Sequence, residues 1–362
     1  MVGAMTPDEL RAEFPVTEQI AFLNAGSCGP LPRAALESAA AMLGEAVRDG
    51  RAQDHFERLV AAAGELRAAY ASVLSAAPED VALTTATSEG LVRVVLGLDL
   101  AGGDEVLIAD DEHPGLLGPL GALRSHTGVA VRAVPADRLA ESISPSTRLI
   151  ACSHVAWMSG RLAPDLSGAD VPVLLDGAQA AGAIPVDVSA LGCAFYAAPG
   201  QKWLCGPIGT GLLYISPAWR GRLRAVAPTY VDLAEPAAGL DAQPWPDARA
   251  HDAVALSLET LAVAQAGHDT LAAFGWSKVF DRGPRLAAEL AERLAAAGRD
   301  LAPRGPSTLV SWRSGDPAAE VERHRQAGIV TRYFPDMPWV RASVGAWNND
   351  DDLDRLLAVS GS

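Results

Sequence analysis

From about residue 100 onward, apolar residues gather in short runs, each ending in a polar or glycine-rich corner. "DEVLIAD", "VAVRAVP", "RLIACSH", "VPVLLDGAQ" and "GTGLLYIS" are such runs. Strands covered on both faces read this way, and the gaps between the runs leave room for crossover helices. The pattern predicts an α/β architecture with a mostly parallel sheet over about residues 24–228. Ahead of it, residues 32–75 are rich in Ala, Leu, Glu and Arg, and "RLVAAAGELRAAYASVL" is apolar at helical spacing, which predicts helix. After the sheet comes a Pro- and Ala-rich passage, "YVDLAEPAAGLDAQPWPDARAHD". A helical remainder follows and ends in "STLVSWRS" and "WVRASVGAWNNDDDLDRLL", which predicts a smaller α+β domain. No internal repeat is visible.

A chain of 362 residues exceeds one compact core, so one large and one smaller domain are expected. Net charge is −15, which repels a nucleic-acid backbone. No run approaches the ~18 uninterrupted apolar residues of a membrane helix. "MVGAMTPDELRAEFP" lacks the basic and apolar regions of a signal peptide, so a soluble cytoplasmic protein is expected. Cys28, Cys152, Cys193 and Cys205 form no CxxC pair and have no His partner at zinc spacing, so no metal site is expected.

In open parallel sheets, ligands collect where strands deliver their carboxyl ends. Three corners carry suitable groups. In "TTATSEGLVRVVLGL", Thr87 and Ser88 stand at the apparent start of a helix. Free N–H groups, the helix dipole and hydroxyls there make either an anion site or an ordinary N-cap. In "VLLDGAQAAG", Asp176 follows an apolar strand, so its desolvated carboxylate requires a partner, either a cationic heterocycle or nearby backbone. Gln179 stands three residues on. In "AAPGQKWLCGPIGTG", Lys202 sits among glycines, prolines and apolar residues, which depress an amine's pKa and favour an imine-forming nucleophile. Alone it reads more simply as a snorkelling surface lysine. The glycines run G-x-x-G-x-G with no strand–glycine–helix order, which leaves a dinucleotide fingerprint unsupported. Together the three corners offer the holds that pyridoxal 5'-phosphate needs for its phosphate, pyridinium nitrogen and aldehyde.

At these residues the chain resembles the class V, fold-type I pyridoxal-phosphate enzymes, the group of cysteine desulfurases and their relatives. The likeness runs through "FLNAGSCGPLP", "TSEGL", "GDEVLIADDEHPG", "TRLIACSHVAWMSG", "LLDGAQAAGAIPVDV", "GQKWLCGPIGTGLLY" and "VRASVGAWNNDDDLDRLL", in the family's order. It implies a large domain (20–240) with a mostly parallel seven-stranded sheet. A small α+β domain would combine residues 1–19 with 241–362. It further implies a homodimer with its active site at the subunit interface. On this resemblance Lys202 carries the cofactor imine and shuttles protons, Asp176 pairs with the ring nitrogen, and Gln179 approaches the phenolic oxygen. His113 of "DEHPG" stacks on the ring, Thr87 and Ser88 hold phosphate, and Arg341 of "VRAS" grips the substrate carboxylate, where a bidentate guanidinium suits a planar anion.

Cysteine desulfurases carry a nucleophilic cysteine shortly before that arginine, whereas "GIVTRYFPDMPWVRAS" has none. Persulfide transfer from that loop is therefore not expected. The chain is most similar to the cysteine/cystine C–S lyase branch, sharing "EHPG", Trp157 in "SHVAWMSG", "PTYV" and two arginines nine positions apart, Arg332 and Arg341. Arg332 reads either as a surface charge or as the hold for a second carboxylate or polar tail, and Asn24 joins the expected substrate-binding set. Pro199 and Gln201 depart from the usual Ser/Thr and His beside the lysine, so the phosphate is expected to be held either less tightly or by Gln201 with residues elsewhere. The family's R-F-E-x-G-T segment is not recognisable in "DARAHDAVALS". The implied reaction is β-elimination from cysteine, cystine or an S-substituted cysteine or its sulfoxide, yielding a sulfur species, pyruvate and ammonia. The alternatives are a class V aminotransferase or epimerase that leaves C–S bonds intact, and a non-catalytic scaffold, which has no need of Lys202, Asp176, His113 and Arg341 together.

Overall fold

A computed structural model describes residues 5–360; residues 1–4 and 361–362, at the ends of the expected small domain, lie outside the described residues. The chain opens with α1 (Pro7–Ala12) and β1 (Ala21–Phe22), followed by α2 (Arg33–Asp49) and α3 (Gln53–Val73). The helix expected over 32–75 is thus two. It breaks at Gly50, whose φ of 79° is readily available only to glycine.

The next elements are β2 (Val81–Thr84), α4 (Thr87–Gly97), β3 (Glu105–Ala109), α5 (Pro114–Thr127), β4 (Ala130–Val134), β5 (Thr147–Ser153), β6 (Val173–Asp176), β7 (Phe195–Pro199) and β8 (Gly211–Ile215). The seven strands β2–β8 form one sheet in the order β2-β8-β7-β6-β5-β3-β4. From β4 to β7 all pairings are parallel, and β8 runs against both its neighbours. This is the fold-type I α/β sheet that the apolar runs and the resemblance imply. Alternation sends successive side chains to opposite faces, and both faces are covered. Along β3, Val106 and Ile108 enter one core while Leu107 and Ala109 enter the other. The first core also holds Leu91 and Val94 of α4 and Leu116 and Leu120 of α5. The second holds Leu66 and Tyr70 of α3 and Leu261 and Leu271 of α6 (Leu258–Phe274). Each fully buried Leu or Val contributes about 1.5–3 kcal/mol against exposure.

The remainder comprises α7 (Trp276–Ala296), β9 (Leu309–Arg313), α8 (Pro317–Gln326), β10 (Ile329–Val330), β11 (Arg332–Tyr333), β12 (Trp339–Ser343) and α9 (Asp350–Ser360). β11, β12 and β9 form an antiparallel sheet, while β10 pairs with β1 from the start of the chain. Leu286, Leu290 and Leu294 of α7 recur at helical spacing and pack on Val310, Trp312, Val340, Ala342, Leu353 and Leu356. Because Val340 and Ala342 point into this core, the pleat turns Arg341 and Ser343 to the opposite face. The N-terminal helix joins the same body through the Arg11 guanidinium, which donates to both oxygens of the buried Asp352 at 2.7 and 3.0 Å.

Candidate active site

The carboxyl ends of the parallel strands and the reverse face of β12 enclose a cavity of about 230 Å³. It is lined by Thr87, Ser88, His113, Trp157, Asp176, Gln179, Gln201, Lys202, Arg332 and Arg341, together with Gly26, Ser27, Pro199 and Phe334. Ten residues singled out in the sequence therefore meet in one place. A larger open groove of 1050 Å³ runs past Thr147, Pro172 and Ala194, at the amino ends of the same strands, and contains none of these groups. Chemistry, not volume, identifies the site.

Asp176 is the last residue of β6 and 5% exposed. The next residue must be glycine, because a Cβ on Gly177 would stand 2.0 Å from the Tyr196 ring. One Asp176 oxygen, Oδ1, accepts from the Ala178 N–H at 2.9 Å. Burial pushes the Asp176 pKa up, and the Lys202 ammonium and the Ala178 N–H pull it back. Lys202 follows the end of β7 on tightly tied backbone. Gly200 N–H donates to Thr210 O at 2.8 Å, Gly206 N–H to Gly200 O at 2.9 Å, and Gly29 N–H to Gln201 O at 2.7 Å. With Trp203, Leu204 and Cys205 buried behind it, the half-buried Lys202 side chain is directed into the cavity. Loss of hydration brings its pKa down to about 8, with Asp176 opposing and Arg341 adding to the fall.

His113 caps α5: its Nδ1 accepts from Gly115 N–H at 2.9 Å, which places any ring proton on Nε2. Burial, then the charges of Lys202, Arg332 and Arg341, lower its pKa to about 4, so the ring is neutral at physiological pH. Trp157 meets this ring edge-on at 5.0 Å and Phe334 at 4.8 Å, which makes one wall aromatic. Thr87 and Ser88 open α4, whose first turn has no side-chain cap. Glu89, the acidic residue there, is engaged by Thr85 and Arg93. Unclaimed N–H groups at a helix start form a phosphate seat. Gln201 Oε1 is buried without a partner among the described residues. Gln179 is committed at both ends, with Nε2 donating to Gly26 O at 2.8 Å and Oε1 accepting from Trp203 Nε1 at 3.1 Å.

Arg341 is 1% exposed. Its Nη1 donates to Trp157 O, while its Nε is buried without a partner among the described residues. Burial and the neighbouring Arg332 charge both lower its pKa, so an anion docking there would relieve both. Arg332 Nη1 donates to Ser27 Oγ at 2.9 Å, which donates in turn to Asn24 Oδ1 at 2.8 Å. Asn24 thus stands outside the cavity lining, one hydrogen bond behind it. Phe334 and Ser27 were missed in the sequence, although Phe334 lies two positions after Arg332.

These groups fit pyridoxal phosphate. An uncapped helix start suits the phosphate, a buried carboxylate suits the ring nitrogen, and a poorly hydrated amine suits the aldehyde. In a chain of net charge −15, three cations converge on this cavity, as anionic ligands require.

Residues 22–231 match the family described as aminotransferase class-V. Isopenicillin N epimerase of Streptomyces clavuligerus is 30% identical over 64% of this chain and 62% of its own length. A cysteine desulfurase of Cronobacter sakazakii is 29% identical over 97% of this chain and 96% of its own. The first three curated relatives are matched over only 62%, 58% and 58% of their length. Among solved structures, the cystine C–S lyase C-DES with its product cysteine persulfide superposes with a TM-score of 0.89 at 26% identity, covering 95% of this chain and 98% of that one. A related structure of C-DES carries glycine covalently linked to the pyridoxal-phosphate cofactor. The chain belongs to the aminotransferase class-V family, with the fold-type I architecture and pyridoxal 5'-phosphate as its cofactor.

Proposed function

We propose that the protein is a C–S lyase acting by β-elimination on cystine or a related S-substituted cysteine. The observation that carries this reading is the pair of arginines, Arg332 and Arg341, lining one cavity with Lys202, while residues 327–341 contain no cysteine. Two guanidinium groups suit a substrate with two carboxylates, and a loop without a thiol has no persulfide carrier there. Kinship with cysteine desulfurases and the likeness to a cystine C–S lyase support the class of chemistry.

In this reading Arg341 holds the α-carboxylate and Arg332, steadied by Ser27, the distal one. Lys202, whose pKa burial lowers to about 8, gives up its proton more readily than an ordinary lysine and takes the Cα proton. Bound pyridoxal phosphate supplies the electron sink for the charge left at Cα. Asp176 keeps that sink effective by holding the ring nitrogen protonated. Thr87, Ser88, the start of α4 and Gln201 would hold the phosphate, and His113 and Gln179 would line the space for the ring. The Cβ–S bond breaks with its electron pair on sulfur. The aromatic wall of His113, Trp157 and Phe334 favours a thiol or persulfide that leaves neutral, taking up the proton. The remaining dehydro-amino acid hydrolyses to pyruvate and ammonia.

Residues 20–240 carry the cofactor in this scheme, and residues 1–19 with 241–362 bring the arginines. The working form is a cytoplasmic homodimer. The kinship with isopenicillin N epimerases favours a second reading, in which only the Cα proton is exchanged. A panel of cystine, S-alkylcysteines and cysteine sulfoxides separates the two, read by pyruvate, keto-acid transfer and enantiomer ratio. Pyruvate from cystine is expected. Racemised substrate with no pyruvate from any member would replace the lyase by the epimerase.

A further inference from the structure

The turn between β3 and α5 carries a second buried carboxyl that the scheme above leaves unused. Glu112, immediately before His113, is 6% exposed. Its Oε1 accepts from Ser153 N–H at 2.8 Å and its Oε2 from Ser153 Oγ–H at 2.6 Å. Ser153 ends β5 and is the register partner of Asp176 at the end of β6. Glu112 is therefore fastened at the strand end adjoining the aspartate that serves the ring nitrogen, while its own backbone leads directly into His113. We propose that Glu112 is a positioning residue of this centre: its carboxyl latches the His113 turn to the Asp176 strand end, and as a second acidic group it acts on the ring nitrogen through Asp176.

The rest of the turn is secured by different means. The Asp111 carboxylate pairs with Arg161 at 2.9 Å, and Asp111 O accepts from Trp157 Nε1 at 3.1 Å. Unlike the partly exposed Asp111–Arg161 pair, the Glu112 latch is buried. The titratable and charged groups around it are Asp111 on its own turn, Cys152 on β5, Asp176 on β6, and Arg161 beyond Asp111 and Cys152. Burial, with Asp176 and Asp111 adding to it, pushes the Glu112 pKa up to about 7, against the pull of the Ser153 donors. Below that pH the carboxyl is neutral. Above it, the added negative charge raises the proton affinity of Asp176, the ring nitrogen and the Lys202 amine.

Glu112→Gln separates latch from charge, since the amide still accepts from Ser153 N–H and still bonds its hydroxyl. In the apoprotein, the His113 ring resonances of Glu112→Gln should stay at their wild-type positions. A carboxyl whose folded pKa exceeds its unfolded one costs stability as pH rises between the two values. Wild-type Tm should therefore fall between pH 5 and 7 relative to the Gln variant. In the holoenzyme, the pH midpoint of the cofactor's visible band should drop by about half a unit or more in Glu112→Gln, because a nearby negative charge has gone. A band midpoint within ~0.2 units of wild type together with a pH-independent Tm difference would overturn the proposal. Displaced His113 resonances in Glu112→Gln would overturn it as well. None of these readouts involves turnover, so failure of the lyase assignment leaves the test intact.

Discussion

Arg332 and Arg341 are register partners across the β11–β12 hairpin, and the Phe334 ring lies 5.5 and 5.2 Å from their respective guanidinium carbons. Cross-strand neighbours hold their Cβ atoms ~5 Å apart, and like charges so placed repel. The fold accepts this cost at the mouth of the one cavity that also contains Lys202 and Asp176. A dianionic substrate removes the repulsion.

Substitution of the two arginines should therefore separate by substrate. Hydrogen bonds to a charged group are worth ~1.5–3 kcal/mol, or about 10–150-fold in kcat/KM. Arg332→Ala should lose about that much with cystine and little with S-methylcysteine, which has one carboxylate. Arg341→Ala should lose it with both. Equal losses for both substrates in Arg332→Ala would return Arg332 to the role of a surface charge.

The position of Lys202 depends on a glycine far from it in sequence. A Cβ at Gly29 would lie 2.0 Å from the Lys202 carbonyl oxygen, and the Gly29 N–H bonds Gln201 O at 2.7 Å. The clash is with backbone, so no side chain can swing away to relieve it. Gly29→Ala should destabilise the protein by ~2 kcal/mol or more and weaken cofactor binding by at least tenfold, as followed by absorbance titration. Unchanged affinity would show that the lysine segment is held by β7 and β8 alone.

The five apolar runs visible in the sequence became β3, β4, β5, β6 and β8; β3, β6 and β8 are buried along their whole length and so must be apolar on both sides, while β4 closes the sheet edge and is partly exposed. β2 and β7 were not visible. β2 has only four residues, and "FYAAP" is diluted with alanine, which scores equally well in a helix. Asp176 was legible as a corner after an apolar run and Lys202 by its setting among glycines, prolines and apolar residues, whereas His113 was legible only through the family resemblance. The pairing of Arg332 with Arg341 was legible only as a spacing, since register depends on where the hairpin turns. Glu112 was legible only as the first letter of "EHPG", because what distinguishes it is the depth to which Ser153 and the neighbouring strands bury it, a property of packing.

The proposed homodimer makes its own prediction. Leu36, Leu43 and Val47 on α2 are 75%, 45% and 87% exposed, and Phe56 and Val60 on α3 are 52% and 73% exposed. Their spacings of seven, four and four set each group on one helical face. An outward apolar stripe on two adjacent helices suits a subunit contact. Wild type should elute at twice the monomer mass in light scattering, and Leu36→Glu/Val47→Glu should shift toward monomer. A monomeric wild type would end the interface reading.

The depressed Lys202 pKa has a thermodynamic corollary that can be measured without substrate or cofactor. Burial lowers it from the ordinary 10.5 to about 8 in the folded chain. Between those values the unfolded chain holds a proton that the folded one has released, so apoprotein stability rises with pH across that window. Below pH 8 the full penalty remains, because the ammonium must be kept charged in a poorly hydrated site. Lys202→Met removes it and should stabilise the apoprotein at pH 7 by ~2–3 kcal/mol. The advantage should shrink as pH rises from 8 toward 10.5, a trend that denaturant titrations at several pH values would show. The same variant should fail to develop the borohydride-sensitive colour of a covalently held cofactor. An apoprotein that Lys202→Met leaves equally stable at pH 7 would mean the amine is well hydrated, and its readiness to act as a base would then need another cause.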